Sequence, residues 1–516
     1  MKRSQNLVYL CVNKFYILIS QLLIIGIISV ITSGIAETAT YYMPDNFPDL
    51  KTAFAGMSGG DTLIIRDGTY IGDKNRVTAT IKPPVGTPAN YTVIKAEHPG
   101  KVIVGEADAT STTCDIYSEG NSLYYRFEGI IWRAGVQIYN SKYVKMIQCG
   151  AVIISPTTVE PGFSADHGSE YILFEDCFAW GAGKYRFLAY KASKIIMRRC
   201  VARLDAVHVN DPIGGFALYY SSDCEVQDCI VIDSDAPETW YYEDGMAGCF
   251  ACPNNGVPGD NLYFRGCISL NNALTFGEIG TLYKNVYRIN CVGWHTIHGG
   301  MSRGQQVSLD HCVFGDFYGN DSTCYAAFHS YEGIGSIKNS IVYNCQNNGA
   351  FRLVELSDYN CLYKNKTNYL ATTPGLHDIT NIDPIDGDPG NGKPALKYLC
   401  RVEDGSNLDG AADDGGDIGA TILTKIGVSG TLWGEPGYNT DTGESLWPFP
   451  LEDQIREHMR SYNPGRTDPT KPDGKRGFCA DGTTLTKYIW EYLGNPTPPE
   501  FSPPAAPKNL RIIEAK

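Results

Sequence analysis

A short phrase of alternating apolar residues followed by cysteine recurs through the middle of this 516-residue chain and constrains its fold. In the copy Val144-x-Met146-x-x-Cys149, two apolar residues lie two positions apart and the cysteine follows three positions later. Residues two apart face the same side of a β-strand, so the repeated unit is a strand. Further copies end at Cys177, Cys200, Cys229, Cys267 and Cys312, and Val286-x-Arg288-x-x-Cys291 keeps the spacing with arginine in the middle.

The intervals between these cysteines run from 21 to 38 residues, which is typical of a repeat array. A second strand phrase recurs about halfway between them, with copies that begin at Phe187, Phe216, Phe250, Phe328 and Phe351. No helical period fills the gaps. Two strand phrases in each turn predict an all-β solenoid of about ten or more coils, in which each coil buries its inward side chains against its neighbours.

Three segments outside the repeats carry a resemblance to a known superfamily. Asp61-Thr-Leu-Ile-Ile-Arg-Asp-Gly-Thr-Tyr70 and Gly100-Lys-Val-Ile-Val-Gly105 resemble the first coils of bacterial right-handed parallel β-helix proteins. Asp417-Ile-Gly-Ala420 resembles the closing phrase of such domains. The superfamily includes lyases of pectate, alginate and chondroitin together with uncharacterised surface proteins. The resemblance implies a right-handed parallel β-helix and a polysaccharide partner. No lyase catalytic motif matches residue by residue, so it assigns no site residue.

The N-terminus has the pattern of an export signal. Lys2, Arg3 and Lys14 precede an apolar run over residues 15–31, and Gly34 and Ala36 offer a cleavage site before Glu37. We therefore expect residues 1–36 to be a signal peptide, with an uncleaved membrane anchor as the alternative. The protein is predicted to be secreted or held at a bacterial cell surface.

The remaining chain divides into three predicted parts. Residues 37–420 form the β-helix, with a short capping helix over Leu50–Met57. Residues 421–494 form a tail module with short helices over Leu451–Tyr462 and Leu485–Leu493, packed on the β-helix or folded as a small separate domain. Residues 495–516 are a proline-rich linker followed by a strand that resembles the start of a fibronectin type III domain.

The net charge limits the expected binding partners, and the positions of the cysteines limit the expected disulfide bonds. A net charge of −14 makes nucleic acid an unexpected partner. The chain has 17 cysteines, but stacked coils hold equivalent Cβ atoms about 4.8 Å apart, whereas a disulfide needs about 3.8 Å. We therefore expect a ladder of free thiols. Cys249 and Cys252 form a Cys-x-x-Cys pair, for which core packing or one local disulfide is favoured over a metal site.

A basic cluster offers the first candidate site. β-Elimination on a uronate needs a base for the C5 proton and a cation to stabilise the carboxylate-derived anion. A lysine or arginine can act as that base when burial or neighbouring cations lower its pKa. Lys184, Arg186 and Lys191 are the predicted catalytic members. The alternative is that the cluster is solvated or paired with acids of neighbouring coils. The cluster is Lys184, Arg186, Lys191, Lys194, Arg198, Arg199 and Arg203.

A polar ladder follows the repeated cysteines by four residues. Within it, His295 beside Asp316 is a candidate acid–base pair. Asp205, Asp233 and Asp235 are candidate ligands of Ca²⁺, the one cofactor that we expect. The alternative is a turn ladder, because turns select these residue types. The ladder is Asp233, Asn271, His295 and Asp316, with Asn344 after Ser340.

The longest insertion between repeated cysteines, from Cys229 to Cys267, offers a carbohydrate-binding loop. Aromatic rings suit the C–H faces of sugars, and long loops on a rigid scaffold often form binding sites. The alternative is that these rings cap a small core of the loop itself. The predicted substrate-binding residues are Trp240, Tyr241 and Tyr242, with Trp294, His298 and Arg303 on neighbouring coils.

These features predict an exported β-helix protein that engages an anionic polysaccharide, with a lyase as the first hypothesis. A non-catalytic surface, adhesion or glycan-binding protein is the alternative. A glycoside hydrolase is a third possibility, which would need two carboxylates roughly 5–9 Å apart, for which Asp233 with Asp205 or Asp235 are the candidates.

Overall fold

The computed structural model describes residues 38–501 with internal gaps. The gaps are residues 156–159, 206–213, 235–249, 254–257, 273, 280–282, 297, 303–305, 318–325, 331–333, 347–348, 388–391 and 461–476. The predicted signal peptide and residues 502–516 also lie outside the described residues. The chain divides into residues 1–40, of which only 38–40 are described, and residues 41–516. Within the described ranges, no helix is long and apolar enough to cross a membrane.

The described strands form three long parallel sheets of 13, 12 and 11 strands, here called sheets A, B and C. Neighbours in each sheet come from successive coils, so the chain visits the three sheets in turn. This arrangement is a parallel β-helix and confirms the predicted fold. The right-handed winding implied by the resemblance is the hand that parallel crossover connections adopt.

The strands have the following bounds. Sheet A consists of Thr40–Met43, Thr62–Ile65, Thr92–Ala96, Ser122–Glu128, Lys142–Ile147, Glu170–Glu175, Ser193–Arg198, Cys224–Gln227, Gly259–Arg265, Tyr283–Ile289, Gln306–Asp310, Ile334–Lys338 and Leu356–Asp358. Sheet B consists of Gly68–Tyr70, Val102–Val104, Ile130–Arg133, Gly150–Ile153, Phe178–Gly181, Val201–Leu204, Ile230–Ile232, Ile268–Leu270, Val292–Trp294, Val313–Gly315, Ile341–Tyr343 and Cys361–Tyr363. Sheet C consists of Cys114–Tyr117, Val136–Tyr139, Phe163–Asp166, Tyr185–Tyr190, Gly214–Tyr219, Phe250–Cys252, Leu274–Ile279, His298–Ser302, Phe328–Ser330, Phe351–Arg352 and Tyr369–Leu370.

Short helices and one hairpin complete the structure. The α-helices are Leu50–Gly56, Glu452–Met459 and Leu485–Trp490, and the 3₁₀ helices are Asp73–Asn75 and Pro499–Phe501. Thr424–Ile426 and Asp441–Ser445 form an antiparallel pair. Asp49 caps the first helix by accepting a hydrogen bond from the Thr52 amide at 2.8 Å. This helix buries Leu50 and Phe54 in the same core as the first coils, as expected of a solenoid cap.

Each coil has three strands, whereas the sequence indicated two strand phrases in each turn. The cysteine phrase spans two of them: the sheet A strand Lys142–Ile147 ends just before Gln148 and Cys149, and the sheet B strand Gly150–Ile153 follows. Gln148 has a left-handed backbone with φ of 54°, which turns the chain sharply at this corner. Because only Gln148 and Cys149 separate the two strands, they look like one phrase in the sequence.

The repeated cysteines line the core as free thiols. The 14 cysteines within the described ranges are all buried and unbridged, as the ladder geometry predicted. The repeated cysteines from Cys149 to Cys312 can each donate to a carbonyl of the preceding coil. For example, Cys177 Sγ lies 3.4 Å from Met146 O, and Cys291 Sγ lies 3.4 Å from Phe264 O. Cys252 is also a buried free thiol, and Cys249 lies outside the described residues.

Candidate functional site

The C-terminal part of the chain covers two of the three sheets. Residues 395–501, here called the C-terminal segment, bury Trp447, Ile455 and Trp490 in one apolar cluster with outward residues of sheet B. Residues 425–440 of this segment, here called the strap, pack Leu432 against Leu173 on sheet A. In the part of the chain that the structure describes, the apolar cluster on sheet C contains no residue of the C-terminal segment. Among the described residues, sheet C is therefore the sheet that the C-terminal segment does not cover.

Part of the predicted basic cluster holds the strap in place. Arg198 donates to the carbonyl oxygens of Val428 and Tyr438 at 2.7 and 2.8 Å, and it pairs with Glu175 at 2.9 Å. Arg199 pairs with the same carboxylate at 3.1 Å. For Arg198 and Arg199 the structure therefore supports the alternative to a catalytic cluster, because both pair with an acidic residue of a neighbouring coil. Their positive charges are neutralised within the protein.

The outward face of sheet C carries a continuous row of rings. The register aligns Tyr139, Asp166 and Tyr190 across successive coils, and His167 turns outward directly after its strand with φ of 46°. Centroids of neighbouring rings lie 5.6, 4.8, 4.9, 5.1 and 4.3 Å apart along the row. At about 4.8 Å per coil, five coils extend the row over about 19 Å. This aromatic row consists of Tyr117, Tyr139, His167, Tyr190, Tyr219 and Tyr220.

Two exposed bases lie on the aromatic row. Lys191 has a left-handed backbone at the turn after Tyr190, and its Nζ lies 5.0 Å from the centroid of that ring. Desolvation and the charge of Lys191 lower the pKa of His167 below its ordinary value. The imidazole is therefore neutral at neutral pH and able to accept a proton, with a cation beside it.

Arg186 lies at the opposite edge of the same strand as Tyr190. Four residue steps separate the two, which corresponds to roughly 13 Å along an extended strand. Arg186 is 0% exposed, and its three guanidinium nitrogens have no hydrogen-bond acceptor among the described residues. Burial lowers its pKa to about 9, while the charge of Asp205 acts in the opposite direction. Its lowered pKa fits the condition set for a catalytic base, but its burial means that a substrate reaches it only after a rearrangement.

Lys184, the third predicted base, precedes this strand. It is half-buried, and its carbonyl oxygen accepts a hydrogen bond from the Gly214 amide at 3.4 Å. The structure thus brings Lys191 to the aromatic row, leaves Arg186 buried near the opposite end of the strand, and places Lys184 just before the strand.

The two candidate calcium ligands that the structure describes, Asp205 and Asp233, have protein partners. Asp205 forms a fully buried ion pair with Arg203 at 2.9 Å. Asp233 accepts hydrogen bonds from the Phe478 amide at 2.5 Å and the Asn271 side chain at 2.6 Å, and it lines a cavity of about 570 Å³. Asp235 lies outside the described residues. The carboxylate and imidazole group that is compact enough to hold a metal ion, within the described ranges, is Asp67, Glu97 and His98 near the first coils.

The polar ladder forms one column of turns. Each member has a left-handed backbone with φ between 51° and 55°. His295 Nδ1 lies 2.8 Å from Asp316 Oδ2, and Asn344 donates to the other oxygen of Asp316 at 3.2 Å. The hydrogen bond to Asp316 raises the pKa of His295. The structure therefore contains both the predicted His295–Asp316 pair and the ladder of turns that was its alternative.

The predicted carbohydrate-binding residues fall in three groups. Trp294 is 3% exposed and packs within the cluster that joins sheet B to the C-terminal segment, so it has a packing role. His298 begins a sheet C strand, but the structure does not describe its side chain. Trp240, Tyr241, Tyr242 and Arg303 lie outside the described residues.

Sequence reasoning missed the aromatic row. Its signal is the alternation in Val136–Tyr139 and Phe163–Asp166, where polar or aromatic residues separate inward apolar ones. Alternation predicts which residues face outward. It does not predict which outward residues of different coils align, because the coils differ in length.

Comparisons with known proteins give likenesses among solved structures alone. No protein-family model and no curated protein matches the chain. A pectate lyase, Pel9A, is 11% identical with a TM-score of 0.40, and the match covers 74% of this chain and 93% of that one. The A-module of mannuronan C-5 epimerase AlgE4 from Azotobacter vinelandii is 12% identical with a TM-score of 0.44, over 66% of this chain and 99% of that one. An alginate lyase from Paenibacillus is 11% identical with a TM-score of 0.32, over 66% and 98%. Because these identities and TM-scores are low, the fold assignment rests on the strand pairing described above.

Proposed function

We propose that this protein binds an anionic polysaccharide along the aromatic row of sheet C and cleaves it by β-elimination. The observation that carries the proposal is the row itself, about 19 Å of rings with the exposed Lys191 and His167 beside it. Rings bind the C–H faces of sugars, and a lysine ammonium attracts carboxylate groups. Both lie on the face that the described C-terminal segment leaves uncovered.

The arrangement suits removal of a proton next to a carboxylate. The neutral imidazole of His167 accepts the C5 proton, and the cation of Lys191 stabilises the negative charge that develops on the carboxylate. The electron pair of the C5–H bond forms the C4–C5 double bond as the C4–O bond breaks. The leaving oxygen takes a proton from water, and His167 returns its own proton to solvent. Ca²⁺ remains a proposed cofactor, tested by assays with and without it.

The proposal also includes the location of the protein and one alternative function. We infer that the protein is exported, because residues 1–36 have the pattern of a signal peptide. A non-catalytic glycan-binding protein would use the aromatic row in the same way without turnover.

The test is a lyase assay on pectate, alginate, chondroitin and hyaluronan, with and without Ca²⁺. Ultraviolet absorbance of the unsaturated product is expected to rise on at least one polymer. His167→Gln and Lys191→Ala should each reduce the rate about 100-fold or more, since a positioned proton acceptor contributes about 10²–10⁴-fold. Lys51→Ala, an exposed lysine on the capping helix, is the matched control. Binding without product on all four polymers would leave a glycan-binding protein, and no binding would overturn the proposal.

A further inference from the structure

A carboxyl group lies buried within the aromatic row. Asp166 occupies the register position between Tyr139 and Tyr190, and it is 4% exposed. Its Oδ2 accepts hydrogen bonds from Gln137 Nε2 at 2.8 Å and from Ser164 Oγ at 2.9 Å. Its Oδ1 has no hydrogen-bond partner among the described residues. One oxygen is thus fully used, and the other is left unsatisfied away from water.

Gln137 connects this buried carboxyl to the surface. It lies two residues before Tyr139 on the same outward face, and it is only half-buried. Its amide therefore lies beside the ring on which a sugar would stack. One end of that amide binds Asp166, so the other end is available to a ligand.

The protonation state of Asp166 determines which end is available. An ionised carboxylate only accepts hydrogen bonds, so it binds the NH₂ of Gln137 and leaves the carbonyl Oε1 for the ligand. A protonated carboxyl can donate to Oε1, which turns the amide and leaves the NH₂ for the ligand. The surface then changes from a hydrogen-bond acceptor to a donor.

We infer that Asp166 is a positioning residue that acts through Gln137 to set whether the aromatic row offers an acceptor or a donor to a glycan hydroxyl or carboxylate. The inference rests on the proposed function for its ligand, but the coupling of the two side chains does not depend on that ligand. Glycan binding is therefore expected to depend on pH through a residue that does not itself touch the glycan.

The electrostatics support a change near neutral pH. Burial raises the pKa of Asp166 to about 6, the hydrogen bonds from Gln137 and Ser164 oppose the shift, and the charges of Glu160 and Asp115 add to it. Lys191 and His167, the other charged and titratable groups beside it on the row, are exposed. Below about pH 6 Asp166 is protonated, and above it the carboxylate is ionised.

The first experiment measures binding of alginate and of polygalacturonate to the full protein between pH 4.5 and 8. Wild-type affinity is expected to change about two- to tenfold with a midpoint near 6, the size of one hydrogen bond. Because His167 on the row also titrates in this range, the comparison is made in His167→Gln. The transition near 6 should remain in that variant, although binding is weaker, and it should disappear in the double variant His167→Gln/Asp166→Asn. Glu160→Gln should lower the midpoint by removing a negative neighbour. A transition that persists in the double variant, or vanishes in His167→Gln alone, would overturn the inference.

The second experiment needs no ligand. The side-chain amide resonance of Gln137, assigned by its loss in Gln137→Met, is followed by NMR across the same pH range. It should shift with a midpoint near 6 in the wild type and in His167→Gln, and it should not shift in Asp166→Asn. An amide that titrates in a protein that binds neither polymer would refute the proposed function and retain the coupling. An amide that does not titrate would refute the coupling even if both polymers bind.

Discussion

Arg198 and Glu175 form an ion pair of 2.9 Å in which the side chains are 0% and 2% exposed. They occupy neighbouring positions on adjacent coils of sheet A. The strap completes their hydrogen bonding, since the Gly430 amide donates to Glu175 at 2.9 Å and Arg198 donates to the carbonyl oxygen of Val428. The pair is therefore the attachment point of the strap as well as a link between coils.

Replacement of Arg198 by methionine should destabilise the protein by about 3–5 kcal/mol, because it removes one partner of a buried charge pair. The strap should also become susceptible to limited proteolysis. Denaturant unfolding and digestion at several protease concentrations measure the two effects. Lys425→Met is the matched control: its partner Glu444 is 71% exposed, so a change below about 1 kcal/mol is expected. A strap that resists digestion in Arg198→Met would contradict the attachment.

Asp228 should make the stability of the protein fall as pH rises. It accepts a hydrogen bond from the Ile426 amide at 2.7 Å, and burial raises its pKa to about 8 against this bond and the charges of Arg199 and Arg198. Between about pH 4 and pH 8 the unfolded chain loses this proton while the folded protein keeps it. Asp228→Asn should therefore stabilise the protein at pH 8 by up to about 5 kcal/mol and have little effect at pH 4. Denaturant unfolding at both values tests this, with the exposed Asp73→Asn as control.

His295 should titrate above the ordinary range of histidine. The hydrogen bond to Asp316 raises its pKa, and desolvation acts in the opposite direction. The pair contributes stability below the ordinary histidine pKa, which is lost as pH rises through the raised value. NMR titration of the imidazole should give a midpoint above about 6.5 in the wild type and a lower one in Asp316→Asn. Asp378→Asn, elsewhere on the chain, should leave the midpoint unchanged, and an equal shift in both variants would exclude a specific pair.

Removal of single rings from the aromatic row should weaken glycan binding without loss of fold. Tyr139→Ala and Tyr190→Ala are each expected to raise Kd about fivefold, equivalent to about 1 kcal/mol. Tyr287→Ala removes a ring that stacks on Tyr263 at 4.9 Å on sheet A, and it should leave Kd unchanged. Titration with alginate and polygalacturonate compares the three. Equal effects at all three positions would argue against a site on sheet C.

The cysteine ladder should be unreactive in the native protein. The 14 cysteines of the described residues are buried, so a thiol reagent such as Ellman's should modify no more than Cys11, Cys249 and Cys324. The 14 described cysteines should all react after denaturation without a reductant, because the ladder holds no disulfide. A shortfall in the denatured protein would reveal disulfides, and rapid reaction of the native protein would show that the core opens readily.

The fold was predictable because it depends on a local rule repeated many times. The period of two in phrases such as Val144-x-Met146 predicts strands, and the recurrence of Cys149 and its equivalents predicts stacking. The burial of Trp294 was not predictable, because it depends on a segment about 100–200 residues later that docks on sheet B. The sequence identified Lys191 by charge, but the partnership of Lys191 with His167 and Tyr190 arises from coil register. Asp166 gave no signal, since an outward aspartate on a strand normally faces water.

The C-terminal segment contacts both early and late coils, and these contacts change how the solenoid folds. Lys101 pairs with Glu457 at 3.1 Å near the first coils, and the Gly419 amide donates to the carbonyl oxygen of Asn339 at 2.8 Å near the last. A stack in which coils contact only their neighbours unravels from its ends, one unit at a time. Contacts that join early coils to residues made hundreds of positions later convert this stack into a single cooperative unit. Full cooperativity then arises only after the C-terminal segment has been synthesised, and until that moment the growing coils remain individually reversible.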